Sequence, residues 1–149
     1  MQIYFVRHGK TEWNLMGKYQ GCSAQTHLLP DSKADVVKLA RYLAPTKFQT
    51  IVSSPLIRAQ ETAEILNERL KIVPTVQLEQ DLQEFNLGLL EGMPYDEAKA
   101  RYPKAVTGLF VQPELYDAKQ IAAESFANVI ARGTRIISQL STQYQAEND

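Results

Sequence analysis

The chain has 149 residues, 44% hydrophobic and 22% charged, enough apolar material for one buried core and too much for a disordered chain. Lys and Arg number 16 against 17 Asp and Glu, a formal net charge of −1, which lacks the cation excess a nucleic-acid binder uses for counterion release. The single cysteine, Cys22, excludes an intrachain disulfide framework, and no apolar run nears the roughly 18 residues of a membrane span. The start from Met1 to Arg7 lacks a basic leader and cleavage site, so a cytoplasmic protein with neither nucleic-acid nor membrane partners is expected.

Ile3 to Val6 is an unalternating apolar run, the pattern of a strand buried on both faces of a parallel sheet. Lys33 to Leu43 predicts a helix with Val36, Val37, Leu39, Ala40 and Leu43 on one stripe. Thr50 to Ser53 predicts a second buried strand. Ser54 as N-cap and Pro55 in the first turn would open a helix running to about Leu70, with Ile65, Leu66 and Leu70 inward. Val73 to Leu78 predicts a third strand, entered past Pro74, and Tyr95 to Tyr102 a short helix stopped by Pro103. Phe126, Ile130, Ile137, Leu140 and Tyr144 recur at helical spacing and predict a last amphipathic helix. The order β-α-β-α-β-α-α implies an α/β fold with a mostly parallel sheet and helices packed on it.

In open α/β sheets ligands bind beyond the carboxyl ends of the strands. Arg7, His8 and Gly9 leave the first strand there. The arginine would hold a phosphate through its fork of donors, and the neutral imidazole would attack phosphorus. Gly9 would let a ligand approach the backbone, and Thr11 would start a short helix. Taken alone, the dipeptide reads more readily as a solvated Arg-His pair in a loop. Arg58 falls in the first turn of the helix after the second strand, against the helix dipole, a conflict that a bound anion removes. The alternative is an exposed arginine paired with Glu61 or a nearby carboxylate. Glu84 follows the third strand among apolar residues, where burial would raise its pKa and suit it to protonate a leaving oxygen; the alternative is an ordinary surface carboxylate.

Arg7-His8-Gly9-Lys10-Thr11-Glu12-Trp13-Asn14, Gly17-Lys18-Tyr19-Gln20-Gly21, Ser53-Ser54-Pro55-Leu56-Ile57-Arg58-Ala59-Gln60-Glu61-Thr62-Ala63, Glu84-Phe85-Asn86-Leu87-Gly88 and Glu91-Gly92 together resemble the histidine phosphatase superfamily, the phosphoglycerate-mutase-like family. Glu124-Ser125-Phe126 is similar to its Gly-Glu-Ser segment, with Ala122-Ala123 where glycines are usual, and Lys10 stands where Gln or Glu is usual. The resemblance implies the phosphoglycerate-mutase-like sheet with helices on both faces. It implies that His8 becomes phosphohistidine, that Arg7 and Arg58 bind the phosphoryl oxygens, and that Glu84 is the general acid and later activates water. Asn14 and Gln20, with Gly9 and Gly21 beside them, match the phosphate pocket. It implies no cofactor and no metal, and the sequence offers no clustered ligand set.

The family's second catalytic histidine, in a Ser-His-Gly segment, has no counterpart here; the only other histidine, His27, lies in a loop context before Pro30. Residues 1–149 are therefore expected to form a single domain matching the N-terminal two-thirds of the family fold, truncated at the C-terminus. Its activity would be weakened, and the edge of Ile3–Val6 would be exposed for self-association. The function expected is a phosphomonoester hydrolase acting on a small phosphorylated substrate, with inorganic phosphate as a further ligand. The alternatives are an isomerase of the phosphoglycerate mutase type and an inactive phosphate-binding fragment.

Overall fold

The computed structural model describes residues 2–72 and 75–145. Its elements run α1 (Glu12–Leu15), α2 (Pro30–Leu43), β1 (Val52–Ser53), α3 (Ile57–Leu70), β2 (Gln77–Leu78), α4 (Tyr95–Arg101), α5 (Pro103–Phe110) and α6 (Phe126–Gln145). Short 3-10 turns lie at Gln80–Leu82, Gly88–Leu90, Pro113–Leu115 and Ala118–Ile121. Strands β1 and β2 pair in parallel, Val52 opposite Gln77 and Ser53 opposite Leu78. This is a smaller sheet than the sequence implies.

The run Ile3–Val6 forms no paired strand among the described residues. Ile3 and Phe5 are 41% and 79% exposed, and the one ring contact of the segment is Tyr4 on Phe48, edge-on at 5.2 Å. Apolar composition supplies strand propensity, but a strand forms only where neighbours offer N–H and C=O groups at its edges. Of the third predicted strand, Gln77 and Leu78 pair; Val73 and Pro74 lie outside the described residues.

The helices pack around two apolar clusters. Val36, Ala40 and Leu43 of α2 meet Leu66 of α3, with Phe48, Ile51 and Ile65 at the margin. Leu87, Leu90, Ala98, Ala105 and Ile121 form the other, beneath α4 and α5. Helix α3 starts at Ile57, two residues later than predicted, and Ser54 Oγ accepts the Leu56 N–H at 3.4 Å just ahead of it. The helix predicted over Tyr95–Tyr102 ends ahead of Pro103, and a further helix begins there. Tyr102, forced out of helical geometry before the proline, separates α4 from α5, and Pro103 takes the first turn of α5, where its missing N–H costs nothing.

The inward face of α6 takes in the predicted Tyr144 and the half-buried Phe126, Ile137 and Leu140, adds Ile136, and leaves Ile130 out. Ile136 and Tyr144 are buried, whereas Ile130 is 67% exposed. Arg132, one turn before Ile136, therefore lies on the inner face and is half-buried.

Candidate functional site

His8 follows the exposed Ile3–Val6 segment and is itself half-buried. Its Nδ1 lies 2.6 Å from the Gly9 carbonyl oxygen. A carbonyl only accepts, so Nδ1 carries the proton and Nε2 of the neutral ring keeps its lone pair. Burial lowers the His8 pKa below its ordinary value. The Gly9 hydrogen bond opposes this shift, the charges of Arg58 and Arg7 add to it, and that of Glu84 opposes it. All three charged groups predicted for the site thus act on His8, although they come from separate segments of the chain.

Arg58, in the first turn of α3, is 1% exposed. Its Nη1 donates to the Ala24 carbonyl at 3.0 Å and its Nη2 to the Gly21 carbonyl at 3.1 Å, while its buried Nε–H has no partner among the described residues. Burial lowers its pKa, opposed by the charges of Glu84 and Glu91. Neither alternative partner holds it. Glu61 instead accepts from the Leu28 N–H at 2.7 Å and pairs with His27 at 3.0 Å and Lys33 at 3.2 Å. His27 is thereby placed in an exposed surface cluster. Arg7 is exposed.

Glu84 is also exposed, not buried as its apolar neighbours in sequence implied, because Phe85 and Leu87 turn inward while Glu84 and Asn86 face out. Its Oε1 accepts the Phe85 N–H at 2.8 Å. The loop Asp81–Glu84 is gripped from α6. Arg132 Nη1 donates to the carbonyls of Asp81 and Gln83 at 2.8 and 2.6 Å, and its Nη2 to that of Glu84 at 3.3 Å.

Asn14 and Gln20 lie in one polar network. Thr11 caps α1, its hydroxyl accepting the Asn14 N–H at 3.4 Å, and Asn14 Oδ1 accepts the Thr11 N–H at 3.0 Å, the reciprocal pair of a capping box. Gln20 Oε1 accepts from the hydroxyls of Thr11 at 2.9 Å and Thr26 at 2.8 Å, both buried. Gly9 and Gly21 are required by close approach of the protein to itself. A Cβ on Gly9 would lie 2.8 Å from Ser32 Cβ, and one on Gly21 would lie 2.5 Å from the Phe85 carbonyl oxygen and from Glu91 Oε1. The Gly9 N–H reaches Thr62 Oγ1 at 3.4 Å, which ties the His8 segment to α3.

Reading the sequence for chemistry passed over two groups. Glu91 joins the loops, accepting the Ser23 N–H at 2.9 Å, the Leu87 N–H at 3.2 Å and the Ser23 hydroxyl. Its place beside Gly92 in the quoted motif was the available signal. Arg132 sits on a helix with no motif around it, and only the folded chain reveals its partners. A cleft of about 470 Å³ beside Glu84 is lined by Cys22, Gln83, Asn86, Asn128 and Arg132 among others. Burial and the neighbouring Glu91 push the Cys22 thiol pKa up, so Cys22 is no ready nucleophile there. No helix among the described residues is long and apolar enough to cross a membrane.

Over 101 residues the chain is 40% identical to the uncharacterized phosphatase PhoE of Bacillus subtilis (strain 168), a match covering 68% of this chain and 51% of that protein. Its fold superposes on Bacillus stearothermophilus YhfR with a TM-score of 0.81 at 27% identity, covering 92% of this chain and 65% of the other. The mycobacterial glucosyl-3-phosphoglycerate phosphatase Rv2419c, solved with VO3, gives a TM-score of 0.77 at 30% identity, covering 91% and 64%. The chain thus spans about half the length of PhoE and somewhat under two thirds of the two solved structures. Residues 3–148 match the Histidine phosphatase superfamily (branch 1), and the chain belongs to that family.

Proposed function

We propose that the chain hydrolyses phosphomonoesters through a phosphohistidine at His8. The observation that carries this reading is the Nδ1–H bond to the Gly9 carbonyl, which leaves Nε2 as the nucleophilic nitrogen of a ring that burial and two arginines keep neutral. Relatives of the chain are phosphatases and phosphoglycerate mutases, and both chemistries begin with transfer of a phosphoryl group.

In the first step Nε2 attacks phosphorus, an N–P bond forms, the ester P–O bond breaks, and Glu84 gives its proton to the departing alkoxide. In the second, the Glu84 carboxylate takes a proton from water, whose oxygen displaces the imidazole and releases inorganic phosphate. Arg7 and Arg58 neutralise the equatorial oxygens through both steps. The unpartnered Nε–H of Arg58 is an unused buried donor, a costly arrangement that a phosphoryl oxygen relieves. Asn14 and Gln20 turn their carbonyl oxygens toward Thr11 and Thr26, which leaves their amide N–H groups as donors. Of the residues proposed for the phosphoryl group, His8 is the one histidine. Supplying a second donor histidine to the phosphoryl group should raise turnover by about 10²–10³ with little change in KM.

Rapid-quench labelling with a phosphorylated substrate tests the reading. It should yield an acid-labile adduct that His8→Ala abolishes, with free phosphate as product and turnover indifferent to a chelator. Undiminished turnover in His8→Ala would overturn the mechanism. An isomerised phosphate ester in place of free phosphate would make the protein a mutase.

A further inference from the structure

We infer that Arg132, with Glu124 as its partner, is the positioning residue that sets the Glu84 carboxyl group for proton transfer. The inference rests on the role proposed for Glu84.

The loop from Asp81 to Asn86 has one short 3-10 turn, Gln80–Leu82, and no ladder to hold its later residues. It is held by side chains from elsewhere in the chain. Arg132 binds the carbonyls of Asp81, Gln83 and Glu84. The same guanidinium forms a two-point bond with Glu124, Nε to Oε1 at 2.8 Å and Nη2 to Oε2 at 3.0 Å. Glu124 in turn reaches past Glu84: its Oε2 accepts the Asn86 N–H at 3.3 Å, and its own N–H donates to the Asn86 carbonyl at 2.9 Å. One ion pair therefore fixes the backbone on both sides of Glu84. Both partners are about 15% exposed, the driest ion pair among the described residues. Arg135 adds a second fork on the Asp81 carboxylate at 2.6 and 2.8 Å.

A planar guanidinium suits this task because its five N–H groups leave in fixed directions, and Lys cannot reproduce them. An exposed acid on a loop without a ladder samples more positions when its own carbonyl and its neighbours' are released, and general acid catalysis demands one position. Arg132 touches neither His8 nor the arginines assigned to phosphate in any hydrogen bond, so its effect should be confined to the two proton transfers of Glu84. The first matters only when the leaving oxygen is strongly basic; the second acts on water whichever ester was cleaved, so the leaving-group comparison is made on kcat/KM, which reports the first step alone.

The test compares kcat/KM on glycerol phosphate, whose alkoxide needs a proton, and on para-nitrophenyl phosphate, whose phenolate leaves without one. Arg132→Ala should lower kcat/KM on glycerol phosphate about 10–100-fold and barely alter kcat/KM on para-nitrophenyl phosphate. Glu84→Gln should show the same substrate dependence more strongly, and the double variant should match Glu84→Gln alone. Arg132→Lys, which keeps the charge and loses the fork, carries the same test should the alanine variant fail to fold. Amide exchange at Asn86 should rise in either Arg132 variant without a comparable rise in α3. Equal losses on both substrates, or losses additive with Glu84→Gln, would overturn the proposal and leave Glu84 as the acid. A Glu84→Gln variant blind to the leaving group would remove Glu84 as the acid, and the proposal with it.

Discussion

The Nη2 of Arg58 donates to the Gly21 carbonyl at 3.1 Å, which couples the first turn of α3 to a loop 37 residues earlier. The loop holds the guanidinium in place. Among the described residues its Nε–H has no partner and no carboxylate lies in hydrogen-bond contact. A buried cation of this kind is destabilising until an anion meets it.

Inorganic phosphate should therefore stabilise the protein. At about 100 times its Kd the gain is about 2.7 kcal/mol, or about 5–10 °C in Tm for a chain of this size. Arg58→Gln should erase the shift. A Tm that does not move with phosphate concentration in thermal denaturation would contradict the assignment of Arg58.

Gly21→Ala should weaken both fold and site. Its Cβ would lie 2.5 Å from the Phe85 carbonyl oxygen, a backbone atom that cannot turn aside. The expected loss is about 1–3 kcal/mol, read by urea unfolding. Because the Gly21 carbonyl also holds Arg58, the phosphate-induced rise in Tm should shrink in the same variant.

His8 should titrate below the ordinary 6.5, since burial disfavours the imidazolium. The unfolded chain then binds its proton first as pH falls. The contribution of His8 to stability is full above the unfolded value near 6.5 and is lost as pH drops through the folded midpoint. The nucleophile stays neutral across the same window. Proton–nitrogen correlation spectra of the two imidazoles, assigned with His8→Ala, would measure the midpoint; a value at or above 6.5 would refute the expectation.

Ala122→Gly should stabilise the chain. Ala122 adopts φ 51 and ψ 37, the left-handed region, at the end of the 3-10 turn Ala118–Ile121. The resemblance placed a usual glycine at this spot. Relief of the Cβ strain, less the entropy that glycine adds to the unfolded chain, leaves a gain of about 0.5–1 kcal/mol. Chemical denaturation of the two proteins would detect it as a higher midpoint at unchanged slope.

Whatever depended on near neighbours was legible in the amino-acid order. The Thr11 start of α1, the helix after Pro30, Arg58 in the first turn of α3 and the amphipathic last helix all follow from spacing and capping within a few residues. The residues proposed for phosphoryl transfer, Arg7, His8, Arg58 and Glu84, were picked out from the amino-acid order as well.

What depended on distant partners was decided by the tertiary structure. Ile3–Val6 has a strand composition and no ladder partner among the described residues, and pairing is a property of two segments, not one. Glu84 faces outward although its neighbours are apolar, because alternate residues of an extended loop point to opposite sides. Helix α6 buries Tyr144 of the predicted stripe, but its packing against the loop after β2 also brings Ile136 and Arg132 inward and leaves Ile130 exposed. Arg132 lies 48 residues from Glu84 in the chain, and no local propensity encodes a bond over that separation. Folding alone brought the ion pair to the backbone of Glu84.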